Sequence, residues 1–290
     1  MIKKGIFLTV LSALLYGITP IVTFFSFQLG NNPFTLTFFR SFFVLPVLGL
    51  AMIIKKIDFK LSITEFKNIL LAGLIGTVLT HLTLSGSYNY IGVGSATTIH
   101  YLYPVMVMLF SKFFYKDNIS KKQLVVLGLS VFGISFFLDF NDVTKIKGIL
   151  MAVTSSITFG FYVVHIDKSG LSKMNGIKLS FYLSLVLITS FLIVNIFINQ
   201  LILNQPIESY ILMFVVAMLA SFLAVVCLKE GIRLIGSGMA SILSMIEPIS
   251  TLIFGKIFFN EAISINKIIG SLIIIVAILI MAYRPKSKKT

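Results

Sequence analysis

The chain has no tryptophan, a single cysteine, and only ten Asp and Glu against 24 Lys and Arg in 290 residues. Each shortage excludes something. The lone thiol, Cys227, has no partner in the chain, so no intramolecular disulfide forms. Without tryptophan, an interfacial aromatic belt has to come from ten Tyr and 28 Phe. Charged residues make up 12% of the chain and hydrophobic ones 57%. A soluble domain is about one quarter charged, so a water-soluble globule is excluded, and so is a disordered chain. No His-x-x-x-His or Cys-x-x-Cys spacing occurs, so no metal site is expected. A Walker loop, G-x-S-x-G and H-E-x-x-H are missing as well. Pumping driven by ATP on this chain alone is therefore excluded, and neither catalytic residues nor a cofactor are expected.

What the chain does have is apolar runs. A spanning helix takes roughly 20 residues, and the runs predict ten: roughly 6–29, 34–54, 69–90, 95–114, 123–139, 148–166, 177–198, 210–229, 237–259 and 265–283. The first begins like a signal peptide after Lys3 and Lys4, but it continues to Leu29, too long for a signal core. Short connections such as Gly30-Asn31-Asn32-Pro33 and Ile91-Gly92-Val93-Gly94 make neighbouring helices antiparallel.

The net charge of +14 invites a nucleic-acid reading, but the lysines are scattered between apolar runs, so no nucleic acid is expected as partner. Their placement instead sets orientation. With both termini cytoplasmic, 19 of the 24 cations fall in inner segments, among them Lys55, Lys121, Lys178, Lys229 and Arg233. Four (Lys145, Lys147, Lys256 and Lys267) fall outside, and Arg40 lies within a span.

The chain also repeats itself. Residues 91–120 align with 235–264 at ten identities in thirty, including Gly92 with Gly236, Ala96 with Ala240 and Pro104 with Pro248. One residue less of offset aligns Lys4-Gly5-Ile6 with Lys147-Gly148-Ile149, Ser12 with Ser155 and Gly17 with Gly160. The chain thus reads as two five-helix halves, 1–144 and 145–290. Five is odd, so the second half enters the membrane inverted, an arrangement typical of secondary transporters.

In both halves a small-residue start leads through a mid-helix proline to an acidic residue. The second copy runs from Gly238-Met239-Ala240 through Glu247-Pro248 to Phe259-Asn260-Glu261. This resembles the EamA family of the drug/metabolite transporter superfamily across essentially the whole chain. The first copy departs modestly, with Tyr103-Pro104 for Glu247-Pro248 and Asp117 for Glu261. The resemblance implies an all-α, ten-span membrane carrier of a metabolite. Members move amino acids, nucleotide sugars, quaternary amines and drugs. It also implies that helices 1, 3, 4, 6, 8 and 9 surround the substrate.

Glu247 is the one acid well inside a span. A carboxylate at that depth costs a few kcal/mol unless paired or hydrated. It is a candidate for proton coupling or a cationic substrate, or else a structural acid beside Pro248. Ser241, Ser244, Glu247 and Thr251 fall on one helical face, and Thr97, His100, Tyr103 and Val107 are their repeat mates. These two stripes either line one central cavity or bond back to their own carbonyls.

Arg40 has Leu183 as its mate, so the fold does not need a cation there. It either holds a carboxylate or snorkels to the outer headgroups. Tyr16, Tyr101 and Tyr162 are further candidate cavity residues; interfacial packing explains Tyr90 and Tyr88 better. Gly17 and Gly160 are read as close helix contacts, and Pro20 and Pro46 as kinks.

The sequence therefore predicts a multi-pass secondary carrier in a bacterial cytoplasmic membrane, exporting small polar metabolites, amino acids first, by alternating access. Its partners are the lipid bilayer and a small-molecule substrate, with homodimer formation left open. The alternatives are an uptake carrier for a cation such as choline or a sulfonium compound, and an intramembrane enzyme or membrane scaffold.

Overall fold

A computed structural model describes residues 2–137, 146–259 and 264–282. Every regular element among them is helical. The first half comprises α1 (Ile2–Gln28), α2 (Pro33–Ile54), α3 (Ile63–Leu71), α4 (Thr80–His100), α5 (Tyr103–Tyr115) and α6 (Lys121–Ser135). The second comprises α7 (Ile146–Lys168), α8 (Gly176–Ile198), α9 (Ile207–Val216), α10 (Val225–Ile235), α11 (Ser237–Leu243), α12 (Ile246–Phe259) and α13 (Ile265–Ala282). Among the described residues, seven helical runs are long and apolar enough to cross a membrane, and Ile265–Met281 is a shorter apolar helix. The Glu261 position and the junction of the halves near residue 144 lie outside the described residues.

Helix starts follow local chemistry. The Asn32 side chain accepts from Thr35 N at 2.7 Å, with Pro33 in the first turn, where its missing N–H costs nothing. Reciprocal capping boxes, Ser62 with Glu65 and Ser120 with Gln123, open α3 and α6. The outer faces are apolar: Phe197 is 82% and Ile196 78% exposed. Apolar exposure on that scale suits lipid rather than water.

The repeat is visible in the packing. Each half's first helix is clasped by the other half. A Cβ added at Gly148 of α7 would meet Tyr90 and Ile91, and one at Gly160 would lie 3.2 Å from Tyr103 O. The mates on α1 behave alike: Gly5 faces Ile235, and Gly17 lies against Glu247 O and Ser250. These glycines admit the close approach that the sequence predicts.

The same contacts show where the chain turns. Along α7, Thr80 meets Thr158, Gly86 meets Met151 and Ile91 meets Gly148, whereas His100 then meets Ser155 and Met106 meets Gly160. The chain therefore reverses between Ile91 and His100, although helical hydrogen bonding runs from Thr80 to His100. In the second half Gly236, at φ +77°, makes the equivalent turn between α10 and α11.

The predicted spans 95–114 and 237–259 are each broken. α4 ends at His100 and α5 starts at Tyr103; α11 ends at Leu243 and α12 starts at Ile246. The breaks lie at matched repeat positions, directly before Pro104 and Pro248, whose missing N–H cannot continue the ladder. A second matched irregularity lies in the preceding helix of each half. Two π-helical segments, π1 (Ala72–Leu79) and π2 (Ala217–Ala224), interrupt otherwise α-helical runs. Such segments often mark functional sites.

Candidate functional site

The broken helices and the π segments meet around one cavity of about 530 Å³. Its walls come from both halves, and it reaches the end of the bundle that carries Phe27, Pro33, Phe137 and Lys267. The opposite end is tied shut. There Lys168 pairs with Asp117 at 2.6 Å, His165 Nε2 lies 3.2 Å from Asn68 O, and Asp167 accepts from Ser237 N and Oγ at 3.1 and 2.8 Å.

Of the ten residues predicted to line the site, eight do so: Tyr16, Arg40, Thr97, His100, Tyr101, Tyr103, Tyr162 and Glu247. Ser241 and Ser244 do not. The helix breaks after Leu243, between these serines and Glu247, and both bond back to their own helix, Ser241 to Gly238 O and Ser244 to Ala240 O, each at 3.0 Å. A face drawn with uninterrupted helical spacing cannot cross that break. Thr251, beyond the break with Glu247, does line the cavity, whereas Val107 is fully buried in the core.

Arg40 is turned inward. Its guanidinium contacts His81 Nε2, and His81 Nδ1 lies 2.6 Å from Thr77 O, a carbonyl of π1. The carbonyl can only accept, so Nδ1 carries the proton and Nε2 accepts from Arg40. π1 thus positions the imidazole that aims the guanidinium. Arg40 Nε is buried and has no hydrogen-bond partner.

Glu247 opens α12 and faces the Tyr101 hydroxyl. The helix start favours a negative charge there. His100 Nδ1 lies 3.0 Å from Ser155 Oγ, and Ser155 donates to Ala152 O at 2.6 Å. His100 therefore donates to Ser155, leaving Nε2 as the free acceptor. Its ring packs on Tyr103 and Phe159, with centroids 5.8 and 5.2 Å away. Tyr162 stacks on Phe159 at 5.6 Å, and Tyr103 crosses it edge-on at 4.8 Å.

Sequence reasoning missed three cavity features. Tyr88 lines the cavity; Tyr90 instead lies under the Lys147 ammonium, 4.9 Å from its ring centroid. His81 is the partner of Arg40. Lys229 is the largest correction. The charge pattern places it in an inner connecting segment, but α10 continues to Ile235 and leaves Lys229 3% exposed, its Nζ 3.0 Å from Ser180 Oγ.

Comparison with known proteins agrees with this architecture. The EamA-like transporter family matches residues 3–138 and again 146–283. The chain belongs to that family. An uncharacterized transporter of Bacillus subtilis (strain 168), YvbV, is 22% identical over 229 residues, 76% of this chain and 73% of that one. A crystal structure of a protein 14% identical superposes with a TM-score of 0.80 over 97% of this chain and 96% of that one, a likeness of fold. This EamA-family chain is thus an integral, multi-pass membrane protein of transporter type.

Proposed function

We propose that this chain is a secondary active carrier of small zwitterionic metabolites, amino acids or close relatives, working by alternating access in a bacterial cytoplasmic membrane. One observation carries the reading: Arg40 and Glu247 line the same cavity, with tyrosines around them. A guanidinium holds a carboxylate through paired N–H donors, and a carboxylate among aromatic rings holds an ammonium. A solute bearing both groups satisfies both walls.

The topology supports the same reading. Ten spans with cytoplasmic termini follow from the lysine placement and from the odd number of helices per half. In that orientation the cavity faces outward, and the Asp117–Lys168 and Asn68–His165 contacts close the inner side. Exchanging the packing of the two inverted halves would reverse the openings. Glu247 is the candidate coupling group.

The second reading is uptake of a cationic metabolite. The tyrosines Tyr16, Tyr88, Tyr101, Tyr103 and Tyr162 around Glu247 favour it; Arg40 in the same cavity opposes it. Flux into proteoliposomes of purified protein separates the readings. Exchange of labelled amino acids, suppressed by other amino acids and indifferent to choline, is the expected result. Choline-sensitive flux with no amino-acid exchange would replace it with the second reading.

A further inference from the structure

A small side chamber of about 70 Å³ opens behind Arg40. Arg40, Thr77, His81, Tyr162, Ser221 and Val225 line both it and the main cavity, so the two adjoin. At its far wall is Lys229. Four serines from three helical segments, Ser41, Ser180, Ser184 and Ser221, share the remaining wall with Leu183 and Leu187.

The charge balance of this region is unequal. Among the described residues the two ion pairs are Lys168–Asp117 and Arg233–Glu230, and neither involves Arg40 or Lys229. No acidic residue lines the side chamber. Lys229 Nζ touches one hydroxyl, and Arg40 Nε touches nothing polar. A cation buried without a counter-charge is costly. The repeat does not explain it either: Lys229 aligns with Ser85, and Arg40 with Leu183, so neither cation is dictated by the fold. A substrate carboxylate on Arg40 and an amine on Glu247 would still leave Lys229 uncompensated.

We infer that the side chamber between Arg40 and Lys229 is an anion subsite. The inference rests on the carrier reading above and narrows it. The occupant is one small monovalent anionic group. On the order of five water-sized groups fit, at roughly 10–15 Å³ of such space each, enough for a carboxylate or a halide. Two sources share that chemistry: a second acidic group on the transported solute, or an inorganic anion bound alongside it. Serine hydroxyls and the Arg40 Nε donate to the anion, and Lys229 supplies the opposing charge.

The test is thermal unfolding of the purified wild-type protein at fixed pH and ionic strength. Chloride is titrated against gluconate, which is too large for the chamber; separately, aspartate is titrated against glycine. Binding to the folded state stabilises it. At a hundredfold excess over Kd the midpoint should rise by roughly 5–10 °C. A saturable rise with chloride assigns the inorganic source. A rise with aspartate beyond that with glycine, and none with chloride, assigns the second acidic group. Lys229→Met keeps the apolar stem and should abolish the rise; Lys229→Arg should keep it. No anion-specific rise in the wild type overturns the subsite, and so does an undiminished rise in a folded Lys229→Met protein. Flux is measured separately. Amino-acid exchange without anion stabilisation refutes the subsite alone, whereas anion stabilisation without flux of any solute refutes the carrier reading alone.

Discussion

Replacing Arg40 by leucine tests the substrate wall most directly. The aligned residue in the other half is Leu183, 6% exposed in the helix core, so α2 already has a precedent for leucine at this turn. Arg40 makes one side-chain contact, to His81, and its Nε is unpartnered. Removing it therefore leaves one imidazole acceptor without a donor, beside a cavity where water can reach it. That cost is about 1 kcal/mol and is offset by no longer burying a charge. The folded state should thus keep its unfolding midpoint within a few degrees. Binding is different. A charge-assisted hydrogen bond contributes about 1.5–3 kcal/mol, and two parallel bonds to a carboxylate at least as much. The concentration for half-maximal flux should rise by roughly 10- to 150-fold, since 1.4 kcal/mol is tenfold. Arg40→Lys should fall in between, because a point charge lacks the planar fork. The assay is counterflow of labelled amino acid in proteoliposomes, paired with thermal unfolding of the same preparations. Wild-type half-saturation in a folded Arg40→Leu carrier would refute the carboxylate wall. Equal loss of folding and flux would make the guanidinium a structural group.

Other outcomes follow from the same geometry. Glu247→Gln keeps the shape of the side chain and removes its titration, so flux should lose its pH dependence while the protein still folds; a pH profile matching wild type would end the coupling role. Gly160→Ala puts a methyl 2.6 Å from Met106 Cβ on a helix that cannot retreat. It should cost about 1–3 kcal/mol, read as a lower unfolding midpoint, and an unchanged midpoint would show that α5 and α7 separate freely. Ser244→Ala deletes a bond to Ala240 O and a hydroxyl beside Tyr103, neither of which reaches the cavity space, so flux should stay close to wild type; lost flux would return that serine to the cavity. The Tyr103 hydroxyl is already directed at Ser241 O, 3.4 Å away. Tyr103→Phe should therefore shift half-saturation by no more than about threefold, and a tenfold shift would mean that the hydroxyl meets the solute.

How far the sequence carries can be argued from particular residues. Helices, repeat and family are legible because apolar length and glycine spacing are strong signals. Gly17 and Gly160 were read as close contacts, and both sit against the main chain of the partner half. Arg40 was singled out because its repeat mate is apolar, and it does face the cavity. The failures share one cause, which is continuity of helix. Uninterrupted spacing through Leu243 to Ile246 overlooks Pro248 just beyond, and it groups Ser241 and Ser244 with Glu247, whereas both bond back to their own helix. The opposite error hid Lys229. A basic cluster after an apolar run looks like a loop, so the helix was ended at residue 229. Gly236 aligns with Gly92, and that pair was the available signal for where the turn belongs. Ending the helix at Ile235 draws Lys229 inside by more than one turn.

The π segments have a weaker trace, small residues three apart at Gly73 and Gly76 and again at Ala217 and Ala220. Their effect is chemical, because π1 supplies the Thr77 carbonyl that orients His81 and, through it, Arg40. The features that repeat, glycines and breaks, build the symmetric frame. Those that do not repeat, Arg40, Lys229 and Glu247, are the ionisable ones, and on the proposed carrier reading their asymmetry is what would let an internally symmetric frame select one kind of solute.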